Sequence, residues 1–400
     1  MEKRILIFTN HFNPEYFKIN DIVNWIKENG NQVTVVTGNP NYPKGKIYPG
    51  YSVLGSFEKK DNLSVYRLPL IPRGNGSKIR LILNYLSYFL SSFIFTLLFL
   101  LPKKKFDKVF VHHTSPPFIF LPALLYKWIK RSELILWDLD MWPQTLEATG
   151  VIKSQRSLTI LETIFERLYK GFDYILLGSK HFEEIASKRV APLAIKHFPN
   201  WADSIFETYN PKNRNIDFSK KITITYSGNI GEAQNLEKLI EALTLTTNKK
   251  IEVRMIGNGR NKKALEKLVL AKKVSQKIKF FDSVSSSELI HYFETSDFLF
   301  LSLKESPIFS KTVPAKLQTY LAVGIPIIGL ISGESKAIIE KNNVGFCAKA
   351  GDISGLVQIL NSLTNLNDHE YQLMKNNASR VYKTNYSSNH RRKELIKLLS

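Results

Sequence analysis

The chain has 400 residues, 44% of them hydrophobic, and its formal net charge is +21. This length exceeds one ordinary domain and suits two domains of similar size, each with its own core. The single cysteine, Cys347, excludes a disulfide framework and favours a reducing compartment. The basic residues are scattered and no zinc-finger, RRM or basic-zipper pattern accompanies them. The charge therefore favours phosphorylated substrates or an anionic membrane surface over nucleic acid.

The first half of the chain alternates short apolar runs with helical periodicity, which is typical of a parallel α/β sheet. Ile5–Phe8 predicts the first strand, and this apolar run is too short for the hydrophobic region of a signal peptide, so we expect a cytoplasmic protein. Apolar spacing over residues 19–26 predicts a helix, and Val33–Thr37 predicts the second strand. The loop between strand and helix carries His11 and Lys18 at a strand's carboxyl end, where open α/β sheets bind ligands.

The most apolar run is Leu81–Leu101, which is long enough to span a bilayer and has cations on both sides. Three interpretations compete: a transmembrane helix, a helix buried wholly in the protein, and a domain helix whose exposed apolar side lies in the membrane interface. We favour the third. A spanning helix would split the first domain, because Phe106–His112 predicts the next strand of the same sheet.

Polar residues follow the next two predicted strands. His113 comes directly after the first of them, and Leu134–Trp137 is followed by the letters DLDMWP. Asp138 and Asp140 form an Asp-x-Asp pair that could hold a divalent ion carrying a diphosphate. Alternatively, Asp140 could cap its loop, or it could act as the general base that takes a proton from an acceptor hydroxyl. A second βα domain follows, which argues against the metal-holding motif. We favour the general base, because a carboxylate at the carboxyl end of a strand can face the cleft between two domains.

The second half of the chain restarts the alternation after a polar stretch that extends to Lys221, which predicts a domain boundary there. Ile222–Tyr226 predicts a strand. The glycine-bearing loop that follows it, from Ser227 to Gln234, lets backbone N–H groups approach a diphosphate. Later strands are predicted at Val253–Ile256, Ile278–Phe281 and Asp297–Leu301.

The stretch from Ser306 to Gly329 has the sequence SPIFSKTVPAKLQTYLAVGIPIIG. We predict a polar loop, then a helix opened by Pro314 and closed by Gly324, and then a buried strand. Free N–H groups at a helix start, with Lys311 and Lys316 nearby, predict an anion site. An ordinary βα loop is the alternative interpretation.

This stretch resembles the donor-binding segment of the retaining glycosyltransferases of family 4. Residues 321–326, LAVGIP, fit the second half of the family pattern Glu-x7-Glu followed by Ala-x-Ala-x-Gly-x-Pro. The two glutamate positions fall on Lys311 and Thr319. Residues 314–320, PAKLQTY, and residues 140–143, DMWP, resemble the WbuB-like subgroup of L-fucosamine transferases in bacterial surface polysaccharide synthesis. Asn200 and Asp203 match the family's hinge element.

The resemblance implies an α/β GT-B fold, with two Rossmann-like domains facing across a cleft. Residues 1–199 would form an acceptor- and membrane-facing domain and residues 200–377 the nucleotide-sugar domain, while the basic helix at 378–400 would cross back to the first domain. The implied reaction is retaining transfer from a UDP-sugar, without a metal or other cofactor, to a polyprenyl-diphosphate-linked saccharide in capsule or O-antigen synthesis. The sugar would be N-acetyl-L-fucosamine or another N-acetylhexosamine.

The resemblance and the strand ends together give three groups of candidate residues. The candidates for catalysis are Asp140, Lys311 and Lys316. The candidates for donor binding are Gly228, Asn229, Gln234, Gly257, Asn258, Val284, Ser310, Thr312, Pro314 and Thr319. The candidates for the acceptor side are His11, Lys18, His113 and Trp142.

The expected partners are the nucleotide-sugar donor, the lipid-linked acceptor and the anionic inner surface of the plasma membrane, with no nucleic acid. Peripheral attachment at that surface is the expected location. Two alternatives stay open. The family's glutamate pair is missing, and Asn229 and Gln234 stand where the family has Arg and Lys, so a degenerate subunit that only binds lipid or a partner enzyme is one alternative. A UDP-sugar 2-epimerase shares the fold but needs no lipid acceptor, so the apolar run argues against it.

Overall fold

The computed structural model describes residues 2–148, 150, 152, 154–209 and 217–400. The chain divides into two compact units, one formed by Met1–Phe198 with Arg392–Ser400 and the other by Pro199–Arg391. The polar stretch expected at the domain boundary lies in part within residues 210–216, which are outside the described residues.

The first unit is built on an eight-stranded sheet. Its strands are β1 Arg4–Thr9, β2 Gln32–Gly38, β3 Ser56–Lys60, β4 Leu63–Leu68, β5 Lys108–His113, β6 Glu133–Asp138, β7 Tyr174–Leu177 and β8 Ile195–His197. Its helices are α1 Ile19–Glu28, α2 Lys78–Phe95, α3 Phe120–Lys130, α4 Gln144–Ala148, α5 Gln155–Tyr169 and α6 Glu183–Ala186. The strand order is β3-β4-β2-β1-β5-β6-β7-β8, and β3 pairs antiparallel with β4 at one edge. The central strands are buried, as expected for a parallel sheet covered on both faces.

The second unit has a six-stranded parallel sheet of order β11-β10-β9-β12-β13-β14. Its strands are β9 Ile222–Ser227, β10 Ile251–Ile256, β11 Ile278–Phe281, β12 Phe298–Ser302, β13 Ile327–Leu330 and β14 Gly345–Ala348. Its helices are α7 Ser204–Glu207, α8 Glu237–Leu245, α9 Lys262–Ala271, α10 Ser286–Glu294, α11 Pro307–Lys311, α12 Ala315–Val323, α13 Gly333–Lys341, α14 Ile353–Ser362 and α15 Asp368–Asn385. The last helix of the chain is α16 Ser388–Leu399. Two sheets of this kind confirm the predicted α/β class.

The end of the chain differs from the single helix expected over 378–399. It forms α15 and α16, which are separated at residues 386–387. The final residues of α16 are fixed to the first unit, because Lys3 Nζ donates to the carbonyl of Leu399 at 2.9 Å and Lys108 Nζ donates to that of Leu398 at 2.8 Å. The C-terminal segment therefore belongs to the packing of the first sheet.

Helix α2 continues into a π-helical turn at Thr96–Leu100, and together they form a helix long and apolar enough to cross a membrane. Its amphipathicity is inverted. The buried positions are largely polar, since Asn84, Tyr88 and Ser92 face the protein, and the Tyr88 hydroxyl donates to the carbonyls of Thr9 and Val36. The exposed side chains are apolar: Ile79, Ile82, Leu83, Leu86, Leu90, Ile94, Leu97, Leu98 and Phe99. The interpretation of a helix buried wholly in the protein is therefore wrong.

The helix predicted between Pro314 and Gly324 is confirmed, because α12 starts directly after Pro314 and ends at Gly324 in a left-handed conformation. At Gly324 φ is +67°, and a Cβ there would lie 2.5 Å from Ser379 Oγ. We expect Gly324→Ala to lower the melting temperature, at a cost of about 1–2 kcal/mol for a non-glycine residue in this conformation.

Thermal denaturation followed by circular dichroism would measure this effect. Gly324→Asn is the matched control, because asparagine tolerates the left-handed conformation but carries the same Cβ. A smaller loss with asparagine than with alanine would assign the effect to backbone conformation. Equal losses would assign it instead to the contact with Ser379.

Candidate functional site

The carboxyl edge of the second sheet holds a buried cation–tyrosine contact. Lys316, in the first turn of α12, places its ammonium 3.9 Å from the centre of the Tyr226 ring and donates a hydrogen bond to the Tyr226 hydroxyl. That hydroxyl in turn donates to the backbone carbonyl of Asn229. Burial lowers the pKa of Lys316 to about 7 and raises the pKa of Tyr226 above its usual value. Near neutral pH this lysine is therefore only partly charged, and a bound anion would favour its ammonium form.

Two loops meet beside this ammonium with very little side-chain volume between them. At Gly228 φ is +121°, and a Cβ there would lie 2.5 Å from Lys316 Cε. A Cβ on Gly257 would lie 1.9 Å from the carbonyl oxygen of Gly228. The N–H of Ile230 donates to the carbonyl of Asn258 at 2.9 Å, which joins the loop after β9 to the loop after β10. The structure therefore brings together four predicted donor-binding residues, Gly228, Asn229, Gly257 and Asn258.

Other residues predicted to bind the sugar donor form hydrogen bonds within their own loop or helix. The side-chain oxygen of Gln234 accepts from the N–H of Gly231 at 3.0 Å, so this amide holds its own loop. The Thr319 hydroxyl is 3.5 Å from the carbonyl of Ala315 one turn earlier in α12. Val284 lies half-buried in the loop after β11. No contact places these three at the Lys316 ammonium in the described part of the chain.

The stretch expected to be a polar loop before α12 contains the short helix α11. Lys311 is the last residue of this helix. The Ser310 hydroxyl donates to the carbonyl of Pro307 and the Thr312 hydroxyl to that of Ile308, each at 2.8 Å. The expectation of a continuous loop is wrong because Pro307, at the first position of α11, favours a helical turn.

In the first unit, His11 and Glu15 form a buried pair at the carboxyl end of β1. His11 Nδ1 lies 2.7 Å from Glu15 Oε2, and the other carboxylate oxygen accepts the backbone N–H groups of Asn41 and Tyr42, both at 2.6 Å. Glu15 is only 2% exposed. Because an ionised carboxylate only accepts, Nδ1 carries the proton of this hydrogen bond. The Phe17 ring stacks on His11 at 4.5 Å.

A second imidazole–carboxylate pair lies at the ends of β5 and β6. His113 Nδ1 is 2.7 Å from Asp138 Oδ1, and the Tyr169 hydroxyl donates to Asp138 Oδ2. Burial alone would raise the pKa of the Asp138 carboxyl, but the charge and hydrogen bond of His113 and the bond from Tyr169 hold that pKa below its usual value. Between the two pairs, burial and the neighbouring His11 and His113 lower the pKa of His112 to about 3.

Asp140 differs from Asp138 in its surroundings. It is half-buried, and its Oδ2 accepts from the indole N–H of Trp142 at 3.3 Å, while the same N–H donates to Ser115 Oγ at 2.8 Å. Asp138 is turned into the interior instead. Among the described residues, no group of three or more His, Cys, Asp or Glu side chains is placed to hold a metal ion.

Comparison with known proteins identifies the chemistry. Residues 210–381 match the family described as Glycosyl transferases group 1. The chain is similar to WcaI of Escherichia coli (strain K12), a glycosyl transferase named for colanic acid biosynthesis, with 25% identity over 80% of this chain and 81% of WcaI.

This chain is a glycosyltransferase with the GT-B fold. Its structure is similar to sucrose-phosphate synthase from Thermosynechococcus elongatus, with a TM-score of 0.76 at 10% identity, covering 100% of this chain and 98% of that one. It is also similar to HepE from Anabaena in complex with UDP-glucose, with a TM-score of 0.68 at 11% identity, covering 100% and 99%.

Sequence reasoning missed three residues of this transferase that shape the site. Tyr226 was expected only as part of a strand, and nothing in the local pattern indicates its contact with Lys316. Glu15 was passed over, yet its position four residues after His11 is a signal that could have found the pair. Tyr169 lies 31 residues from Asp138, and nothing in the local pattern indicates their contact.

The pKa of Lys316 leads to a prediction about UDP binding. A bound diphosphate favours the charged ammonium, so above pH 7 binding must take up a proton, whereas below pH 7 the ammonium is already charged. We expect the Kd for UDP to rise by up to about tenfold per pH unit from pH 7 to about 9, where the terminal phosphate of UDP stays dianionic. Calorimetry in two buffers of different ionisation enthalpy would measure the proton uptake.

Two variants test whether Lys316 is responsible. Lys316→Ala should weaken UDP binding and remove the pH dependence. Lys336→Ala is the matched control, because the Lys336 ammonium pairs with Glu340 on the surface of α13. This variant should keep both the UDP affinity and its pH dependence. An unchanged pH dependence in Lys316→Ala would contradict the assignment.

Proposed function

We propose that this glycosyltransferase moves a sugar from a UDP-sugar to a lipid-linked saccharide during synthesis of a bacterial surface polysaccharide. The observation that carries the proposal is the Lys316 ammonium, which is held against Tyr226 beside glycine-rich loops at a sheet edge. The UDP-glucose complex of HepE, a protein of the same fold, and the name of WcaI support the donor class and the pathway class.

The proposed chemistry follows from where charge develops. The bond between the anomeric carbon and the β-phosphate oxygen breaks, and its electron pair leaves with UDP. The Lys316 ammonium stabilises this charge. The acceptor oxygen bonds to the anomeric carbon and gives up its proton to a base. The sequence resemblance suggests N-acetyl-L-fucosamine or another N-acetylhexosamine as the sugar, and it suggests transfer without a metal.

Asp140 remains the proposed base, and the first unit the proposed acceptor side. The Trp142 indole fixes the orientation of the carboxylate at the end of β6, and the residue is half-buried rather than enclosed. Asp138, by contrast, already accepts from His113, Tyr169 and the N–H of Asp140, so it lacks free acceptor capacity. The choice between the two carboxylates of the Asp-x-Asp pair thus rests on their hydrogen bonds.

Helix α2 supports a peripheral position on the inner face of the plasma membrane. Its exposed side is apolar, its ends carry Lys78, Arg80 and Lys103–Lys105, and it lies beside α3, whose Trp128 is 80% exposed. Aromatic and cationic side chains around an apolar surface suit the interface of an anionic bilayer. A lipid-linked acceptor would be reached at the same surface.

A transfer assay tests the function. Purified protein would be incubated with a panel of UDP-sugars, including UDP-N-acetyl-L-fucosamine, and a polyprenyl-diphosphate-linked sugar, with and without EDTA. We expect a lipid product heavier by one sugar that persists in EDTA. Loss of product in EDTA would instead indicate a metal-dependent transfer. No product with any donor, despite measurable UDP binding, would contradict the proposed acceptor class.

Asp140→Asn tests the base. The amide keeps the shape and can still meet the Trp142 ring, but it cannot take up a proton, so we expect normal folding, unchanged UDP affinity and a turnover at least about a hundredfold lower. Single-turnover measurements at saturating donor would report this. Asp138→Asn is the comparison variant, and it should mainly lower the melting temperature because a buried network is broken. Full activity of Asp140→Asn would remove Asp140 as the base.

A further inference from the structure

The segment from Asn62 to Phe106 contains no Asp or Glu but has seven Lys and Arg residues. The loop at residues 39–50 likewise has no acid and carries Lys44 and Lys46. Arg67 pairs with Glu58, which lies outside the run. For the remaining cations, a stretch without acids in a chain that elsewhere mixes both signs favours an anionic ligand. The structure places the two parts in contact.

The loops at residues 39–50 and 69–77, called here the loop pair, pack backbone to backbone. The N–H of Gly74 donates to the carbonyl of Gly45 at 2.8 Å, and the N–H of Arg73 donates to Asn41 Oδ1 at 3.2 Å. Asn84 of α2 donates to the carbonyl of Ile71 at 2.7 Å. The loop pair is therefore fixed both to itself and to the start of α2.

Arg73 occupies the centre of the loop pair. Its guanidinium lies between two tyrosine rings, 5.2 Å from the centre of the Tyr42 ring and 5.3 Å from that of Tyr85, and it donates to the Tyr85 hydroxyl. Its Nε is buried and has no hydrogen-bond partner among the described residues. Arg80 packs along Gly74 close by. A guanidinium stacked on rings, with an unused N–H, is suited to bind phosphate oxygens through its edge.

Contacts run without a break from α2 to the carboxyl edge of the first sheet. Tyr85 belongs to α2, whose exposed side is apolar, and Arg73 links it to Tyr42. The Tyr42 ring lies 5.4 Å from the ring of His11, which is held by Glu15. This row presents, in order, an apolar surface, a cation, an aromatic ring that is 40% exposed, and an imidazole.

We propose that Arg73 binds the diphosphate of the lipid-linked acceptor. The order of groups along the row matches the order of the three parts of a lipid-linked sugar diphosphate. The lipid chain would lie on the exposed side of α2, the diphosphate at Arg73, and the first sugar against Tyr42 and His11. Charge complementarity supports this occupant, because neither loop carries a carboxylate of its own, and Glu15, which contacts Asn41 and Tyr42, is buried beside His11. The proposal rests on the proposed function only in taking the acceptor to be lipid-linked.

A vesicle-binding experiment tests the proposal without any donor, so it gives a result even if sugar transfer fails. The full chain is titrated with phosphatidylcholine vesicles that contain an isoprenyl diphosphate, an isoprenyl alcohol, or phosphatidylglycerol at matched surface charge. We expect the isoprenyl diphosphate vesicles to bind best. Arg73→Gln should raise the Kd for them about tenfold or more, the effect of losing a charge-assisted contact, and should leave UDP affinity unchanged.

Lys59→Gln is the matched control, because Lys59 is an exposed cation on β3 of the same unit, outside the loop pair, and it should bind like the unaltered chain. If Arg73→Gln does not fold, Arg73→Lys replaces it. Lysine keeps the positive charge but lacks the two-nitrogen edge of the guanidinium. We therefore expect Arg73→Lys also to raise the Kd for the isoprenyl diphosphate vesicles, but by a smaller factor. Unchanged binding of the Arg73 variant overturns the proposal. The proposal is also overturned if the chain binds phosphatidylglycerol vesicles as tightly as isoprenyl diphosphate vesicles and the Arg73 variant loses affinity for both equally. That result would mean that the loop pair is a general anion-binding surface.

Discussion

The contact between Lys316 and Tyr226 is the constraint around which the second unit's site is built. An ammonium taken out of water is costly unless other groups replace its hydration, and here a tyrosine ring and hydroxyl do so. The aliphatic part of Lys316 fills the space that a Cβ at residue 228 would need, so the loop after β9 must carry a glycine there. That glycine in turn lets the loop after β10 approach. The space beside this lysine is therefore lined by glycine-bearing loops that place little side-chain volume there.

The first unit buries negative charge, whereas the second unit buries the positive charge of Lys316. Glu15 and Asp138 are both enclosed, and each is satisfied by one imidazole and by further donors. Each carboxylate thereby fixes the ring nitrogen that carries the proton on its histidine. Asp140 has no such shell and stays partly open beside Trp142. The unit thus separates two enclosed carboxylates, each held by a histidine, from a third that stays partly open.

Local patterns predicted much of the fold. The alternation of buried strands and amphipathic helices gave the parallel sheets, and Pro314 and Gly324 marked the ends of α12 correctly. Strands β3 and β14 were missed because they are only partly buried and lack a continuous apolar run, and β4 was missed with its partner β3. Gly228 and Lys316 were found as separate signals. Their shared partner Tyr226 was not, because Lys316 lies 90 residues away from it, and no sequence period encodes that contact.

The inversion of α2 shows why composition alone could not decide its role. The strand order requires this helix to pass from β4 across β2 and β1 before β5 begins, so its inner side meets the ends of strands with carbonyls that need donors. Tyr88 supplies a donor to two of them, at Thr9 and Val36, and so the polar residues of the run are the ones that become buried. The apolar residues are left outside, where contact with water costs about 25 cal/mol for each Å² of apolar surface. A membrane interface removes that cost. Because Tyr85 on the same helix contacts Arg73, the structure that would anchor the protein to lipid also fixes the position of a cation for a lipid's diphosphate.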